Sequence, residues 1–438
     1  MQWKTADYTG WGRALRARGT LARPERVPAL ADALTARGPA IGNRRSYGDA
    51  ALNSGGAAVE MTRMDRLLSF DPDTGGLEVE AGATLGEILR LFAPRGWMPA
   101  VLPGTGFATV GGAIANDVHG KNHHNAGSFG QHVQAVTLMT DSGPREVTPE
   151  RDPALFRATM GGLGQTGAIL SARLQLRPTP GQRMRVVETR IPHFDAFIAA
   201  LDASEAEFAV GWVDATAKRK RLGRGILEEG TLAEGGRPGP ARRAKSIPFD
   251  APGLLLSAPV VKLFNRWYRW RVPDTGRKRT RPLEEFFFPL DALHDWNRLY
   301  GKRGFHQFQC IVPKDAAPAL KEILAAIAKS GVASPLAVLK RMGPGRAGHL
   351  SFPMEGYTLA VDVPAQRRKL PALHARLQDM VRDAGGRLYL AKDGLAGPET
   401  VAAMYPELDA WRAEIAKADP DGQMTTDLVR RLHLRSAA

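Results

Sequence analysis

The sequence has almost no cysteine and no long apolar run. Cys310 is the one cysteine in 438 residues, which excludes an internal disulfide and a zinc site built on paired thiolates. No stretch approaches the ~18 consecutive apolar residues of a membrane-spanning helix, and the first residues lack the apolar core of a signal peptide. These absences predict a cytoplasmic protein that is at most peripheral to the inner face of the membrane.

Length and composition predict two soluble domains. The chain is longer than one ordinary hydrophobic core, and 43% hydrophobic with 24% charged residues is typical of globular proteins. Residues 1–181 mix short strand-like runs with helices, and strand-like runs then alternate with longer helices. This pattern predicts an α+β fold whose second part is an antiparallel sheet with helices on one face. A further strand is predicted at 387–393, and helices that pack back on the first part at 398–434.

One stretch, residues 103–124, has the composition of a cofactor site. Gly111 and Gly112 let the backbone approach a ligand closely, and the small residues after them suit a short helix whose N–H groups face a phosphate. Three histidines follow within six positions, at 119–124. Residues 42–49 form a second loop with glycine beside cationic side chains. A tight turn explains either loop alone, but the two together predict a pyrophosphate-bearing cofactor.

A familiar glycine spacing is misleading in this chain. Residues 162–167 match G-x-G-x-x-G, which requires a strand before it and a helix after it to bind a dinucleotide. The order predicted here is helix, glycines, strand, so a Rossmann nicotinamide site is not expected. The same spacing at 343–348 has no helix after it. Both are predicted to be loops, although the first could still line a cofactor.

Positive charge is concentrated in one segment. The net charge is +15, and residues 218–281 hold 17 Lys and Arg against 5 Asp and Glu. Aromatic residues are interleaved there at Phe264, Trp267, Tyr268 and Trp270. Such a segment suits an anionic membrane face, where Trp and Tyr anchor at the headgroups, or a nucleic acid. A solvated loop is the plain alternative, and the Gly/Pro/Arg run at 235–243 fits it.

Ten short motifs together resemble a known enzyme family. They are TGWG (9–12), RRSYGD (44–49), LPGT (102–105), VGGAIA (110–115), HGKNHH (119–124), AGSFG (126–130), PLD (289–291), WNR (296–298), GGRLY (385–389) and AKD (391–393). In this combination the chain resembles flavoenzymes of the vanillyl-alcohol oxidase type and, within them, the decaprenylphosphoryl-β-D-ribose 2′-oxidase family. The resemblance runs nearly end to end, and the 119–124 run is its most specific part.

The resemblance implies a two-domain fold and FAD. A PCMH-type FAD-binding domain would span 1–181 and be completed by 387–438, while 182–386 would be an inserted antiparallel-sheet substrate domain. The basic, aromatic segment 218–281 is expected to interrupt that sheet as an insertion. Tyr47 stands where many of these flavoenzymes have an attaching histidine, which implies non-covalent FAD. The residues implied to bind FAD are Ala40, Ile41, Gly42, Asn43, Arg44, Arg45, Ser46, Tyr47, Gly48, Asp49, Ala50, Gly104, Thr105, Thr109, Val110, Gly111, Gly112, Asn116, Asp117, Val118, His119, Ile169 and Tyr389.

The chemistry implied is hydride transfer from a carbinol carbon to the flavin while a base takes the hydroxyl proton. Lys392, His119 and Tyr47 fall at catalytic positions, Lys392 as the base or hydrogen-bond partner and Tyr47 packed on the flavin. From the residues alone, Lys392 is more readily a surface lysine paired with Asp393. The residues implied to line the substrate pocket are Trp212, Gln307, Gln309, Val338, Lys340 and Lys392.

The implied substrate is a polyprenylphosphoryl-β-D-ribose, oxidised at its 2′-hydroxyl as the first half of an epimerisation to the arabinose form for cell-envelope glycans. An NAD(P)-dependent short-chain reductase is the implied partner, and an anionic membrane surface the expected location. Three pocket positions depart from the family pattern. Ala360 replaces a cysteine, Thr358 an asparagine and Phe287 a tyrosine, so the rim of the substrate pocket is altered.

Three other functions compete with this one. An aldonolactone or other soluble-polyol oxidase of the same superfamily would not need the cationic, aromatic segment. A nucleic-acid-binding protein would leave both glycine-rich loops and Lys392 without purpose, so no nucleic-acid partner is expected. A metal site on His119, His123 and His124 is disfavoured because they lie on a glycine-containing turn with no carboxylate cluster beyond Asp117, and no metal is expected.

Overall fold

A computed structural model describes residues 2–140, 142–235, 244–332, 334–365 and 369–435. The α-helices of these residues are α1 (Val27–Leu34), α2 (Leu85–Phe92), α3 (Val110–Ala115), α4 (His123–Ala126), α5 (Pro153–Thr159), α6 (Phe194–Ala203), α7 (Ala258–Trp270), α8 (Leu283–Phe287), α9 (Ala317–Ser330), α10 (Leu370–Asp383), α11 (Pro398–Met404), α12 (Leu408–Ala418) and α13 (Asp427–Arg431). The strands are β1 (Lys4–Thr9), β2 (Arg16–Ala22), β3 (Ala40–Ile41), β4 (Ala57–Glu60), β5 (Leu67–Phe70), β6 (Gly76–Glu80), β7 (Trp97–Pro99), β8 (Val133–Thr140), β9 (Gly143–Val147), β10 (Ala168–Pro178), β11 (Arg183–Ile191), β12 (Phe208–Val213), β13 (Gly225–Ala233), β14 (Lys245–Ser246), β15 (Arg277–Pro282), β16 (Leu293–His294), β17 (Phe305–Val312), β18 (Ala337–Met342), β19 (Gly356–Pro364) and β20 (Arg387–Leu388).

The N-terminal part contains two sheets. The first has the strand order β1-β2-β4-β3, with β1 and β2 antiparallel and β4 parallel to both β2 and β3. The second is antiparallel, in the order β5-β6-β10-β8-β9, and β7 also pairs with β10. Apolar side chains of β4, β8 and β10 share one core cluster, so the two sheets pack against each other.

The second part is built on a sheet with the strand order β15-β11-β13-β12-β18-β19-β17-β20. Helices α6, α9 and α10 cover one face of it through a common apolar core. Because side chains alternate along a strand, the residues between those core positions point to the opposite face, which meets the N-terminal sheets. The predicted α+β fold, with an antiparallel sheet and helices on one face, is confirmed.

Two local predictions were wrong. The basic segment 218–281 does not interrupt the sheet, because β13 lies between β11 and β12 and β15 is an edge strand paired with β11. Residues 236–243, most of the predicted loop, lie outside the described residues. The strand predicted at 387–393 is limited to β20, because the chain then turns, with Lys392 N–H donating to the Tyr389 carbonyl at 2.9 Å.

The last helices pack back on the N-terminal part, as expected. The Arg431 guanidinium binds Asp49 with two contacts of 2.8 Å and Asp393 with one of 2.9 Å. The division into 1–181, 182–386 and 387–438 stays a prediction, and β20 at the start of its last segment is hydrogen-bonded to β17 of the large sheet. None of the helices in the described part of the chain is both long and apolar enough to span a bilayer.

Candidate active site

A cavity of about 1590 Å³ lies between the large sheet and the N-terminal sheets. Ligand pockets usually measure about 300–1,000 Å³, so this cavity has room for an extended cofactor and a second ligand together. One part of its wall consists of helix α3, of residues 163–169 and of the two loops that follow β3 and β7. The other part consists of the open face of the large sheet and one side of α7.

The two glycine-rich loops meet at the cofactor end of this cavity. A Cβ on Gly42 would lie 2.4 Å from Thr109 Oγ1, so only glycine allows this approach. The Asn43 side-chain amide donates to the Phe107 carbonyl at 3.0 Å. Thr109 also begins α3, because its hydroxyl accepts from Gly112 N–H at 3.2 Å. The structure therefore brings together the loops that the sequence singled out.

Most residues predicted to bind the cofactor line the cavity. They are Ala40, Ile41, Gly42, Asn43, Arg44, Arg45, Ser46, Tyr47, Ala50, Gly104, Thr105, Thr109, Gly111, Gly112, Asn116, Val118, His119, Ile169 and Tyr389. Their contacts with a cofactor remain predictions. Leu163, Gly164 and Gly167 of the misleading glycine motif also line the wall, with α5 before the motif and β10 after it as expected.

Gly48 and Asp49 do not line the cavity. Gly48 packs against the Asp393 carbonyl, where an added Cβ would lie at 1.5 Å. Asp49 is 5% exposed and forms an ion pair with Arg431. Both residues therefore join the first loop to the C-terminal segment instead of facing a cofactor.

Val110 and Asp117 also lie behind the wall. Val110 is fully buried in the apolar core under α3. The Asp117 carboxylate is fully buried and accepts from Gly130 N–H at 2.8 Å and Ala347 N–H at 3.1 Å. Burial raises the pKa of this carboxyl, and these hydrogen bonds oppose that rise. Asp117 thus joins three loops around the site without facing the cavity.

The polar groups on the cofactor side fit FAD. The Arg45 guanidinium is stacked between Trp11 and Phe107, 4.2 and 4.5 Å from their ring centres. Its Nε donor and the Asn116 Oδ1 acceptor are buried and have no hydrogen-bond partner among the described residues. An unpaired donor and an unpaired acceptor on one cavity wall indicate a polar ligand that supplies the missing partners.

Lys392 lies where the cofactor side and the substrate side of the cavity meet. The turn after β20 directs its side chain over Tyr47, with Nζ 3.6 Å from the ring centre. Burial lowers the pKa of this amine to about 7, against an opposing effect of Asp362. A substantial fraction of Lys392 is therefore neutral at neutral pH and able to accept a proton.

Asp362 is an acidic residue that the sequence reasoning missed. It is fully buried on β19 and accepts hydrogen bonds from the Gln307 amide and, at 3.3 Å, from the Tyr300 hydroxyl. Burial raises the pKa of this carboxyl to about 7, with Gln307 and Lys392 opposing the rise. One carboxyl in the otherwise apolar strand YTLAVDV was the signal that could have identified it.

His119 joins Lys340 to Gln309. Lys340 Nζ lies 2.9 Å from His119 Nδ1, and Gln309 Nε2 lies 3.1 Å from His119 Nε2. Burial, followed by the charge of Lys340, holds the pKa of His119 well below its usual value. Each nitrogen of the neutral ring therefore lies within hydrogen-bond distance of one of these two side chains.

The other two histidines of the 119–124 run do not line the cavity. His123 Nδ1 accepts from Gly343 N–H at 3.2 Å, and His124 Nε2 lies 3.0 Å from the Ala206 carbonyl. Within the described residues, no group of three or more His, Cys, Asp or Glu side chains is arranged to hold a metal ion. These two histidines connect the run to neighbouring segments.

All six predicted substrate-pocket residues line the cavity: Trp212, Gln307, Gln309, Val338, Lys340 and Lys392. The three altered positions line it as well. Thr358 accepts from the Gln309 amide at 3.3 Å and donates to the Cys310 carbonyl at 2.8 Å, so it helps to orient Gln309. Ala360 lies beside Gln309 in the strand register, and Phe287 packs on Phe208 at 5.1 Å.

Sequence reasoning missed the far end of the cavity. Arg271, Arg279 and Arg281 line it, as do Phe264, Trp267 and Tyr268 of α7. Tyr268 packs on Trp212 with ring centres 4.7 Å apart and is not the exposed anchor that was expected. Arginine recurs at every second position, 277, 279 and 281, which is the spacing of one face of a strand. The high charge of the whole segment obscured this signal.

Comparison with known proteins agrees with this geometry. Residues 25–148 match the family model of an FAD binding domain. The chain is 38% identical to the decaprenylphosphoryl-beta-D-ribose oxidase of Mycolicibacterium smegmatis over 98% of each protein. It is 35% identical over 80% of its length to an uncharacterized protein in the mprA 5′ region of Streptomyces coelicolor, all of which is covered. The D-arabinono-1,4-lactone oxidase of Yarrowia lipolytica is 29% identical over 31% of this chain and 28% of that protein.

Proposed function

The chain belongs to the decaprenylphosphoryl-β-D-ribose oxidase family and is an FAD-dependent oxidoreductase, and we propose that it oxidises the 2′-hydroxyl of a polyprenylphosphoryl-β-D-ribose to a ketone. The observation that carries the proposal is the position of Lys392. Its amine, with a pKa lowered to about 7, lies between the predicted FAD residues and the substrate-side wall. A soluble lactone oxidase is less well supported, because the similarity to one covers only 31% of the chain.

Lys392 acts as the base in this reaction. FAD held by the predicted cofactor residues would supply the acceptor for the hydride from C2′. The neutral Lys392 amine takes the 2′-hydroxyl proton as the C=O bond forms. The resulting ammonium faces the Tyr47 ring and is stabilised by Asp362. Lys340 and Gln309 orient the sugar, and His119 holds both in place.

The substrate-side wall suits a lipid-linked sugar. Trp212, Phe264 and Tyr268 form an aromatic surface that leads from Lys340 towards α7. A free sugar or lactone has no apolar part to cover such a surface, whereas a prenyl chain does. The altered residue Ala360 leaves more room on this wall than a larger side chain would.

We also propose peripheral association with an anionic membrane. Apolar side chains of α7 recur at the helical spacing 260, 263, 264, 267 and 270, and all of them are exposed. The opposite face is buried and more polar, with the Asn265 amide donating to Asp214 at 2.8 Å. This helix therefore turns its apolar stripe outwards, which is the arrangement of a helix lying in a membrane interface.

Charge supports the same location. Lys262 and Arg266 are exposed on α7, and residues 218–221 are exposed cations in the connection between β12 and β13. Phe264 and Trp267 belong both to the apolar stripe and to the cavity wall. A lipid-linked sugar could thus pass from the bilayer to the cavity along α7.

We further propose that an NAD(P)-dependent short-chain reductase reduces the ketone product to the arabinose form.

Anaerobic addition of substrate to the purified holoenzyme tests the proposed reaction. Farnesylphosphoryl-β-D-ribose is a suitable short-chain probe, and the visible flavin absorbance is the readout. We expect it to bleach the flavin, whereas free ribose and aldonolactones should not. Bleaching by a lactone without bleaching by the phosphoryl sugar would contradict the proposal and favour the soluble-substrate oxidase.

A further inference from the structure

Four arginines surround one buried carboxylate on the substrate-side wall. Glu188 is fully buried, and its oxygens lie 2.9 Å from Arg271, 2.6 Å from Arg277, 3.6 Å from Arg279 and 3.1 Å from Arg281. One carboxylate offsets only one of these four positive charges. The cluster is therefore strongly cationic as it stands.

The strand register directs this cluster towards the cavity. Glu188 of β11 pairs with Arg277 of β15, Val186 pairs with Arg279, and residues two apart on a strand share a face. Arg277, Arg279 and Arg281 therefore lie on the same face as Glu188. Arg279 and Arg281 line the cavity, together with Arg271 from the end of α7.

Neighbouring charges leave the excess in place. Glu228 is bound by Arg281 at 3.0 Å and by Lys121 at 3.2 Å. The negative charge of Glu228 is therefore offset by the positive charge of Lys121. Arg271 Nε and Arg281 Nε are buried and unpaired within the described residues. Glu285 is a third carboxylate that acts on Arg281. Five cations against three carboxylates in a partly desolvated wall still leave an excess of positive charge that an anion would neutralise.

The cluster is connected to the reaction centre. Lys340, which holds His119, also donates to the Gly120 carbonyl at 3.4 Å. The next residue, Lys121, binds Glu228, and Glu228 binds Arg281. If the sugar of a ligand lies beside Lys392 and Lys340, the substituent on the sugar extends towards this arginine cluster.

We infer that Arg271, Arg279 and Arg281 bind the phosphodiester that links the sugar to the prenyl chain. This inference rests on the proposed function. Guanidinium groups bind phosphate oxygens with charge-assisted, often bidentate hydrogen bonds. The three arginines thus select for a phosphoryl sugar over a neutral glycoside, and the aromatic surface of Trp212, Phe264 and Tyr268 takes the chain beyond the phosphate.

The test compares two probes that differ only in charge at this point: farnesylphosphoryl-β-D-ribose and a neutral farnesyl β-D-riboside. Anaerobic flavin reduction over a range of probe concentrations gives the preference of the enzyme for the phosphoryl compound. Arg279→Gln is the first variant, because Arg279 is the farthest of the four from Glu188 and 41% exposed, and Arg281→Gln is the second. Each should lower the preference about tenfold or more, and Arg279→Lys should restore part of it.

Lys278→Gln is the matched control. It removes one positive charge from the same strand, but alternation places its side chain on the opposite face, and Lys278 does not line the main cavity. It should keep the preference of the unmodified enzyme. If Lys278→Gln lost the preference for the phosphoryl probe as much as the two arginine variants do, the inference would be overturned, because the effect would be one of overall charge.

Flavin content distinguishes the two sources of phosphate. Loss of FAD from the Arg279→Gln and Arg281→Gln holoenzymes would assign these arginines to the cofactor pyrophosphate and overturn the inference. An undiminished preference in both variants would contradict the inference alone. Absence of bleaching by either probe in the unmodified enzyme would instead contradict the proposed function on which the inference rests.

Discussion

The side-chain amine of Lys392 lies 3.6 Å from the centre of the Tyr47 ring. The backbone fixes this contact, because Tyr47 N–H donates to the Ala391 carbonyl at 3.0 Å and Gly48 abuts the Asp393 carbonyl. The first glycine-rich loop and the C-terminal turn are thus one structural unit. The residue proposed as the base is therefore held against the loop predicted to bind the flavin.

Replacement of Lys392 by alanine should retain FAD and abolish nearly all flavin reduction by substrate. A general base contributes typically 10²-fold or more to the rate, and no other amine lies over Tyr47 in the described residues. Stopped-flow bleaching with farnesylphosphoryl-β-D-ribose under anaerobic conditions measures the loss. Lys417→Ala, an exposed lysine on α12, is the control. An unaffected bleaching rate would show that Lys392 is not the base.

The rate of flavin reduction should rise with pH through about 7, because Lys392, with its pKa lowered to about 7, must be neutral to accept a proton. Asp362 raises the pKa of that amine. Asp362→Asn should therefore lower this pKa and move the rising limb to lower pH. Single-turnover rates across neutral pH measure the shift, with Asp421→Asn on the surface as control.

A limb that disappears in Asp362→Asn would contradict this assignment, because the pKa of Asp362 is itself raised to about 7 and the limb would then belong to it. A limb that stays in place would show that Asp362 does not act on the base. Both groups are coupled, so the measured value belongs to the pair.

Local patterns in the sequence predicted the two glycine loops, and the structure shows why they matter together. Gly42 meets Thr109 from a loop far away in the chain, and no local spacing encodes that approach. Gln307 and Gln309 are two apart on β17 and both line the cavity, as the family resemblance implied. The family resemblance, and not the residues alone, identified Lys392, because its turn and its burial depend on tertiary contacts.

What escaped prediction has a physical reason. Strand β15 carries five charged or polar residues in a row, a pattern typical of a solvated loop. Only the tertiary structure shows that Glu188 lies beside it on β11 and pairs with Arg277. Strand β13 was hidden in the same charged segment. Predicted FAD residues such as Asp117 and Val110 lie close to the wall in sequence, but helix α3 and its exit turn direct their side chains away from the cavity.

His119→Ala should weaken FAD retention as well as slow flavin reduction. The ring holds Lys340 and Gln309 from its two nitrogens and packs on Tyr389, with ring centres 5.4 Å apart. Its loss would release Tyr389 on the predicted flavin side as well as Lys340 and Gln309 on the substrate side. Flavin-to-protein absorbance after extensive dialysis measures retention. His124→Ala, which removes a histidine that does not line the cavity, should retain FAD like the unmodified enzyme, and equal behaviour of the two variants would contradict the role of His119.

The flavin should be released by acid precipitation. Tyr47 occupies the position at which many related enzymes attach the flavin to histidine, and a phenol on this loop packs on Lys392. Acid unfolds the chain, and non-covalent FAD then stays in the supernatant, where its absorbance is measured. A yellow pellet would demonstrate covalent attachment and direct attention to His119 and His294, the two histidines on the cavity wall of the described residues.

The outward-facing stripe of α7 predicts co-sedimentation with anionic liposomes. Leu263 and Trp270 are 69% and 76% exposed, and neither lines the cavity. Insertion of each would remove a large apolar side chain from water, which is worth about 1.5–3 kcal/mol for a residue such as leucine, and nearby cations add up to ~1 kcal/mol each at an anionic surface. The combined variant Leu263→Gln with Trp270→Gln should therefore lose binding by at least about tenfold and keep its flavin.

Leu67→Gln with Leu68→Gln is the matched control, because both leucines are exposed on β5, away from α7. Binding should fall as salt rises and be weak on neutral vesicles. Equal binding to neutral and anionic vesicles, or equal losses in the two double variants, would show that α7 is not the membrane-facing element.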